Sequence, residues 1–172
     1  MRLRNLSVLI CLATLYAQND AQPAFEDYPV ANRYRGKPAA PQWSGSGVPD
    51  SEARARETVE IEAESGPNFA GHFTIARWGC DTGCFRIVVI DAPTGKLFRD
   101  MPFHTLDIGY NHDTEDHKYG GLSFRAASSL LIAEGCFDGE ARVAKAEPQD
   151  CARRYYKWDG AKFTLLKSVP VV

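Results

Sequence analysis

The sequence predicts a mainly β protein, a β-rich α+β fold in which antiparallel hairpins of about seven short strands accompany one N-terminal helix. Three observations predict this class. Short β-branched and aromatic runs recur with turn residues between them, no helical pattern alternates with these runs, and an Asp-Gly pair separates the last two. We expect a sandwich-like or a partial-propeller arrangement, and the sequence leaves open whether the strands form one sheet or two.

The predicted strands follow one another from residue 73 to residue 166. The first two flank a short cysteine loop, and an Asp-Ala-Pro-Thr-Gly turn leads to the third, which predicts a three-stranded meander. Two more hairpins follow, one across Ala-Ala-Ser-Ser and one across Asp159-Gly160. The seven predicted strands cover residues 73–78, 85–90, 96–99, 122–125, 130–134, 153–158 and 162–166.

One amphipathic helix is predicted before the strands. Asp50 or Ser51 can cap its start, and Ala55, Val59 and Ala63 recur every fourth residue, which places them on one helical face. The alternation from Val59 through Ile61 to Ala63 also permits a strand. We predict the helix.

The first 21 residues have the layout of a secretory signal peptide. Arg2 and Arg4 give a positive start, residues 6–17 are apolar but too few to span a bilayer, and Ala17 and Ala21 offer cleavage sites. We expect a periplasmic or secreted protein with no membrane span in the mature chain, cleaved after Ala17 or Ala21. The predicted organisation is a signal peptide over 1–21, an extended or mobile Pro/Gly-rich leader over 22–49, and a single β-rich domain over 50–172.

The cysteine count agrees with export. Cys11 lies inside the apolar run and leaves with the signal peptide, so four cysteines remain in the mature chain. An even count in a small exported domain predicts two disulfides. Three connectivities are open, and proximity favours Cys80–Cys84 and Cys136–Cys151.

Three local motifs of the chain are distinctive. They are Gly66-Pro-Asn-Phe-Ala-Gly-His72, Trp78-Gly-Cys80 with Cys84, and Asp91-Ala-Pro-Thr-Gly-Lys96. These motifs resemble a group of exported proteins of Gram-negative bacteria for which no activity is established. The similarity covers residues 27–166, and it implies an exported fold of this kind without supplying a function. This chain has Asp81 where that group usually has glycine, and Asp tolerates a positive φ at modest cost.

Two catalytic hypotheses centre on the first hairpin. His72 is a candidate general base with Asp81 and Thr82 as the nearest partners, although a histidine that only bonds its own turn is the reading we favour. The Cys80 and Cys84 pair is a candidate redox site, but its three-residue spacing departs from thioredoxin-like motifs and no βαβ unit surrounds it. We therefore interpret this pair as a structural staple at the end of a hairpin.

A polar segment further along is a candidate metal site. Histidine nitrogens would suit zinc and carboxylate oxygens would suit calcium. The glycine that a calcium loop requires at its sixth place is replaced by an aspartate, and the histidine spacing fits no standard zinc motif, so a solvated loop is the default interpretation. The candidate ligands are His104, His112, Asp113, Glu115 and His117.

The sequence favours a binding protein over an enzyme. It contains no Gly-x-Ser-x-Gly elbow, phosphate loop or His-Glu-x-x-His helix, and its longest basic cluster is a pair of arginines, so we expect no nucleic-acid partner and no cofactor. Our first hypothesis is a non-enzymatic envelope protein that binds another protein or a cell-wall component, such as an inhibitor or immunity protein. Tyr155, Tyr156 and Trp158 are its expected exposed contacts. The alternative is a periplasmic enzyme that is hydrolytic, metal-dependent or thiol-redox.

Overall fold

The computed structural model describes residues 21–43, 53–111, 116–117, 120–137 and 151–171. Within these residues one α-helix precedes ten strands, and the predicted class, mainly β with antiparallel hairpins and one helix, is confirmed. The elements are a 3-10 turn at Phe25–Asp27, α1 (Ala53–Glu64), β1 (Phe73–Asp81), β2 (Cys84–Asp91), β3 (Leu97–Phe98), β4 (Leu106–Asp107), β5 (Tyr110–Asn111), β6 (Asp116–His117), β7 (Gly121–Phe124), β8 (Leu130–Phe137), β9 (Cys151–Trp158) and β10 (Phe163–Pro170).

Eight of these strands belong to one open antiparallel sheet in the order β1-β2-β4-β8-β9-β10, with β3 paired to β2 and β7 paired to β8. The hairpins β1–β2, β7–β8 and β9–β10 are the three that the sequence predicts. The strand that joins the two halves was not predicted: β4 is two residues long, and its Leu106 pairs with Phe85 on one side and Phe137 on the other. A separate two-stranded antiparallel sheet of β5 and β6 completes the described strands.

Both expected disulfide pairs are present. Cys80 and Cys84 join across the turn between β1 and β2, with their Cα atoms 5.4 Å apart. Cys136 and Cys151 face each other in the β8–β9 register, with Cα atoms 4.0 Å apart. The positive φ of the first turn is taken by Gly83 at 71°, whereas Asp81 is the last residue of β1 and pairs with Cys84. A glycine is therefore not required at position 81.

The main hydrophobic core lies on the inner face of the sheet. Alternate residues of the long strands supply it, as the period of two along a strand requires, and Phe69 enters it from the turn before β1. Its buried members are Phe69, Ala70, Phe73, Ile75, Phe85, Ile87, Val89, Phe103, Leu106, Leu131, Ala133, Phe137, Ala152, Tyr156 and Trp158.

The helix α1 packs on the opposite face of the β1–β2 hairpin. Val59 and Ala63 bury themselves against Ala76, Val88 and Ile90, which explains why β2 is apolar on both faces. The neighbouring Ile61 is 58% exposed. A strand would have placed residues 59, 61 and 63 on one side, so this burial pattern is that of the helix. Among the described residues, no helix has the length and apolar character needed to cross a membrane.

The turn between β9 and β10 contains the predicted Asp159-Gly160 pair, and its hydrogen bonds can be tested through the pKa of Asp159. The Asp159 carboxylate accepts hydrogen bonds from the backbone N–H groups of Lys162 and Ala161, each at 2.9 Å, and these bonds hold its pKa below the usual value. A lowered folded-state pKa contributes stability above the ordinary pKa, and that contribution is lost as pH falls through the folded value. The loss therefore lies below about pH 4.

We expect a carboxyl-carbon NMR titration of Asp159 to give a midpoint clearly below that of an unstructured aspartate. Asp159→Asn keeps the accepting oxygen and removes the charge, so the part of the acid-dependent stability that comes from Asp159 should disappear in this variant. A midpoint at or above the ordinary value would show that these hydrogen bonds do not form in solution.

Candidate functional site

The structure separates the two residues of the predicted catalytic pair. His72 precedes β1 and Asp81 ends it, and a strand of this length spans about 25 Å. The His72 ring instead stacks on Phe73 with centroids 4.0 Å apart, and its Nε2 lies 3.6 Å from Oδ1 of Asp91. The β1–β2 register places residue 72 beside the end of β2, so the acid near His72 comes from a turn that sequence reasoning had not connected with it.

Asp91 has a structural task of its own. Its Oδ2 accepts a hydrogen bond from the Thr94 hydroxyl, and its backbone carbonyl accepts from the N–H groups of Thr94 and Gly95. Oδ1 is buried and accepts no hydrogen bond in the described structure. Asp91 therefore organises the tight turn of residues 91–95, and the His72 ring lies beside its carboxylate.

The candidate metal ligands are only partly within the described chain. His112, Asp113 and Glu115 lie outside the described residues, His117 belongs to β6, and His104 is in the exposed loop before β4. In the part of the chain that the structure describes, no group of three or more His, Cys, Asp or Glu side chains could hold a metal ion. The metal site stays a prediction.

The expected exposure of the three β9 aromatics is wrong. Tyr155, Tyr156 and Trp158 are only 2%, 4% and 3% exposed. The reason is that β9 lies between β8 and β10, with one face on the core and the leader covering Tyr155 on the other. Tyr156 and Trp158 face the inner core, and Tyr155 points the opposite way and donates a hydrogen bond to the side chain of Gln22 from the leader. These residues cannot act as the contact surface proposed for them.

A small cavity of about 260 Å³ lies where the start of the leader meets the outer face of β7, β8 and β9. Arg153 and Glu134 face each other across β8 and β9 and form an ion pair, and Glu134 also accepts a hydrogen bond from the N–H of Gly120. The hydrogen bond to Glu134 raises the pKa of Arg153. These contacts through Glu134 join β8 to β9 and to the residue that precedes β7.

The leader continues as a strap, which we define as residues 37–43. The Ala39 N–H donates to the Ala92 carbonyl and the Gln42 N–H to the Gly95 carbonyl, each at 2.8 Å. The Gln42 side-chain amide also donates to the Thr94 carbonyl at 2.8 Å. These three hydrogen bonds hold the strap against the turn that Asp91 organises. The composition of the strap alone would permit mobility.

A groove separates the strap from the C-terminal half of α1. It encloses about 560 Å³, more than the 260 Å³ beside Glu134 or the 310 Å³ cavity at the tip of the β1–β2 hairpin. We call it the strap–helix groove. Its lining residues are Lys37, Pro38, Ala39, Ala40, Pro41 and Trp43 from the strap, with Glu60, Ala63 and Glu64 from α1.

Trp43 ties the two walls of the strap–helix groove together. Its indole Nε1 donates to Oε1 of Glu60 at 3.1 Å, and the guanidinium of Arg56 lies 4.7 Å from the ring centroid. On the other wall, Val59 and Ala63 anchor the helix to the sheet. Contacts within the protein therefore hold both walls in place. Such preorganisation lowers the entropic cost of binding.

Gly95 leaves the space in which the strap passes over the turn. It has a φ of 75°, and a Cβ built there would overlap the carbonyl oxygen of Ala40. We expect Gly95→Ala to lower the free energy of unfolding by about 2 kcal/mol, because a left-handed conformation costs about 1–2 kcal/mol for a residue with a side chain and the overlap adds to it. Urea denaturation measures this loss, and amide hydrogen exchange at Ala39 and Gln42 should accelerate.

Gly160→Ala is the matched control. Gly160 also has a positive φ, 101°, but nothing lies within 4 Å of a Cβ added there. It should show the conformational cost alone and leave exchange in the strap unchanged. Equal exchange rates at Ala39 and Gln42 in the two variants would mean that Gly95 does not hold the strap in place.

Comparisons with protein-family models, with curated proteins and with solved structures found no significant match for this chain. The site must therefore be interpreted from its own chemistry. Sequence reasoning missed the strap–helix groove because its two walls carry no motif. The one signal available was Trp43, an aromatic residue within a segment otherwise rich in Pro, Gly, Ala and Ser.

Proposed function

We propose that this protein is a non-enzymatic, exported binding domain that holds a segment of another protein in its strap–helix groove. The observation that carries the proposal is the groove itself, in which proline, alanine and tryptophan side chains form apolar walls and two carboxylates supply polar contacts. Binding sites are typically concave and mostly apolar, with a few placed polar groups. An inhibitor or immunity protein is one concrete form of this proposal.

Export is the second part of the proposal. Two disulfides staple the β1–β2 turn and the β8–β9 pair, and disulfides persist in oxidising compartments. The signal-like layout of residues 1–21 supports the same compartment. We expect cell fractionation to place the protein in the periplasm or medium, with Gln18 or Gln22 as its first residue by N-terminal sequencing. Recovery of the intact N-terminus in the cytoplasm, with reduced cysteines, would refute export.

Site-specific photocrosslinking in living cells tests the binding proposal. A photoreactive amino acid at Ala40, an exposed residue in the wall of the groove, should form an adduct with one partner protein. The same amino acid at Ile61 is the control, because Ile61 is 58% exposed on α1 but does not line the groove. Adducts of equal yield at the two positions, no adduct at Ala40, or capture of a cell-wall fragment instead of a protein would each overturn the proposal.

A further inference from the structure

The charges of α1 run against its dipole. Arg54 and Arg56 lie in the first half of the helix together with one acid, Glu57, and three acids without a basic residue lie in the second half, namely Glu60, Glu62 and Glu64. A helix dipole favours acidic groups at the N-terminus and basic groups at the C-terminus, and α1 has no acidic residue in its first turn and no basic residue in its last. Such a departure from a local rule is expected where a site serves a function.

Two of these acids line the strap–helix groove. Glu60 and Glu64 are one helical turn apart, where like charges repel, and both side chains are exposed. Lys37 is the one cation among the nine lining residues that the structure describes, and two carboxylates lie among the same nine. The Glu60 carboxylate is also held in position by the indole of Trp43. Among the described lining residues the groove is thus apolar along its walls and negative along its helical side, and the Arg56 guanidinium lies beside it on the face of Trp43.

The spacing of the two carboxylates predicts how far apart the charges of a ligand should lie. Residues four apart on a helix are separated by about 6 Å along the axis. In an extended peptide, side chains at alternate positions point the same way and are about 6.8 Å apart. Two lysines or arginines separated by one residue therefore match Glu60 and Glu64, and their alkyl chains can lie on the apolar walls.

We infer that the occupant of the strap–helix groove is an extended segment of a partner protein that carries two basic side chains at alternate positions. The inference rests on the proposed function and specifies the partner's chemistry. The cations pair with Glu60 and Glu64, and their charge also complements the C-terminal end of the α1 dipole.

Fluorescence anisotropy with synthetic peptides tests this inference on the oxidised, folded protein. The probe is the fluorescein-labelled peptide GAPKAKPAG, and GAPQAQPAG is its uncharged counterpart. We expect the lysine peptide to bind with an affinity that falls as salt is added, and the glutamine peptide to bind at least about fivefold more weakly, the loss expected for two exposed ion pairs.

The variants separate groove charge from overall charge. Glu60→Gln with Glu64→Gln keeps the acceptor oxygen for Trp43 and should weaken the lysine peptide about fivefold. Glu57→Gln with Glu62→Gln makes the same charge change on α1 outside the groove lining and should have little effect. Lys37→Gln removes the competing cation and should strengthen binding.

The outcomes distinguish this inference from the proposed function. Equal affinity for the two peptides, equal effects of the two double variants, or no binding of the lysine peptide would overturn the basic-segment inference. The proposed function would still stand if the Ala40 photocrosslink persisted in the Glu60→Gln, Glu64→Gln variant. If that crosslink is absent from the wild type as well, the groove is not a docking site.

Discussion

Phe69→Ala is expected to lower the free energy of unfolding by about 3–5 kcal/mol, because it removes a fully buried ring from the centre of the core. The rings of Phe124, Trp158 and Phe163 lie around it with centroids 6.3, 6.5 and 6.0 Å away. The backbone that carries it is pinned, since the next two N–H groups donate to the carbonyls of Ser128 and Ala126. A pinned turn cannot close the cavity, so the cost should lie at the high end for a lost aromatic side chain.

Urea denaturation followed by far-UV circular dichroism measures this loss. Ile61→Ala is the control, because its side chain is 58% exposed and its removal should change stability by no more than about 0.5 kcal/mol. A loss below about 1 kcal/mol for Phe69→Ala would show that the ring does not occupy the core in solution.

Removing the Cys136–Cys151 disulfide should have the second-largest effect. The bond closes a loop with a sequence separation of 15, and the loss of chain entropy in the unfolded state predicts about 3 kcal/mol of stabilisation. Both cysteines are buried in adjacent strands. Alanine at both positions is therefore the suitable replacement, because serine would add buried hydroxyl groups.

The Cys80–Cys84 pair provides the matched comparison. Its sequence separation is 4, so the same loop-entropy argument predicts about 2 kcal/mol for replacing it with two alanines. Thermal and urea unfolding of the two double variants should keep this order. A larger loss from the Cys80, Cys84 replacement would indicate that the hairpin staple, rather than the longer loop, dominates the disulfide contribution.

The hairpins could be predicted because their signals are local. The β-branched runs, the Asp159-Gly160 turn and the short cysteine loop each lie within a few residues of the structure they specify. The strand β4 could not be predicted, because two residues carry no periodic pattern. Leu106 becomes a strand residue only because Phe85 and Phe137 arrive on either side of it.

The errors at the site come from contacts that are distant in sequence. The side chain of Tyr155 is buried and donates a hydrogen bond to Gln22, a residue 133 positions away. The residues around Tyr155 in the sequence give no sign that the leader covers it. His72 was associated with the wrong end of the hairpin for a related reason. Its neighbour Asp91 is set by the pairing register, which the sequence of β1 alone does not reveal.

The strap–helix groove illustrates the same limit. Its walls are a Pro-rich strap and a short acidic helix, and each has a common local explanation as a linker or a solvated face. The hydrogen bonds from Ala39 and Gln42 to the 91–95 turn, together with the bond from Trp43 to Glu60, turn the two segments into one site. No motif encodes that combination.

Chemical-shift mapping of the isotope-labelled protein with the GAPKAKPAG peptide tests most directly whether the strap–helix groove is the recognition site. We expect the perturbed amides to cluster in the strap and the C-terminal half of α1, and the indole N–H of Trp43 to shift with them. Perturbations centred instead on the cavity beside Glu134 and Arg153, on the tip of the β1–β2 hairpin, or nowhere at saturating peptide would contradict the account.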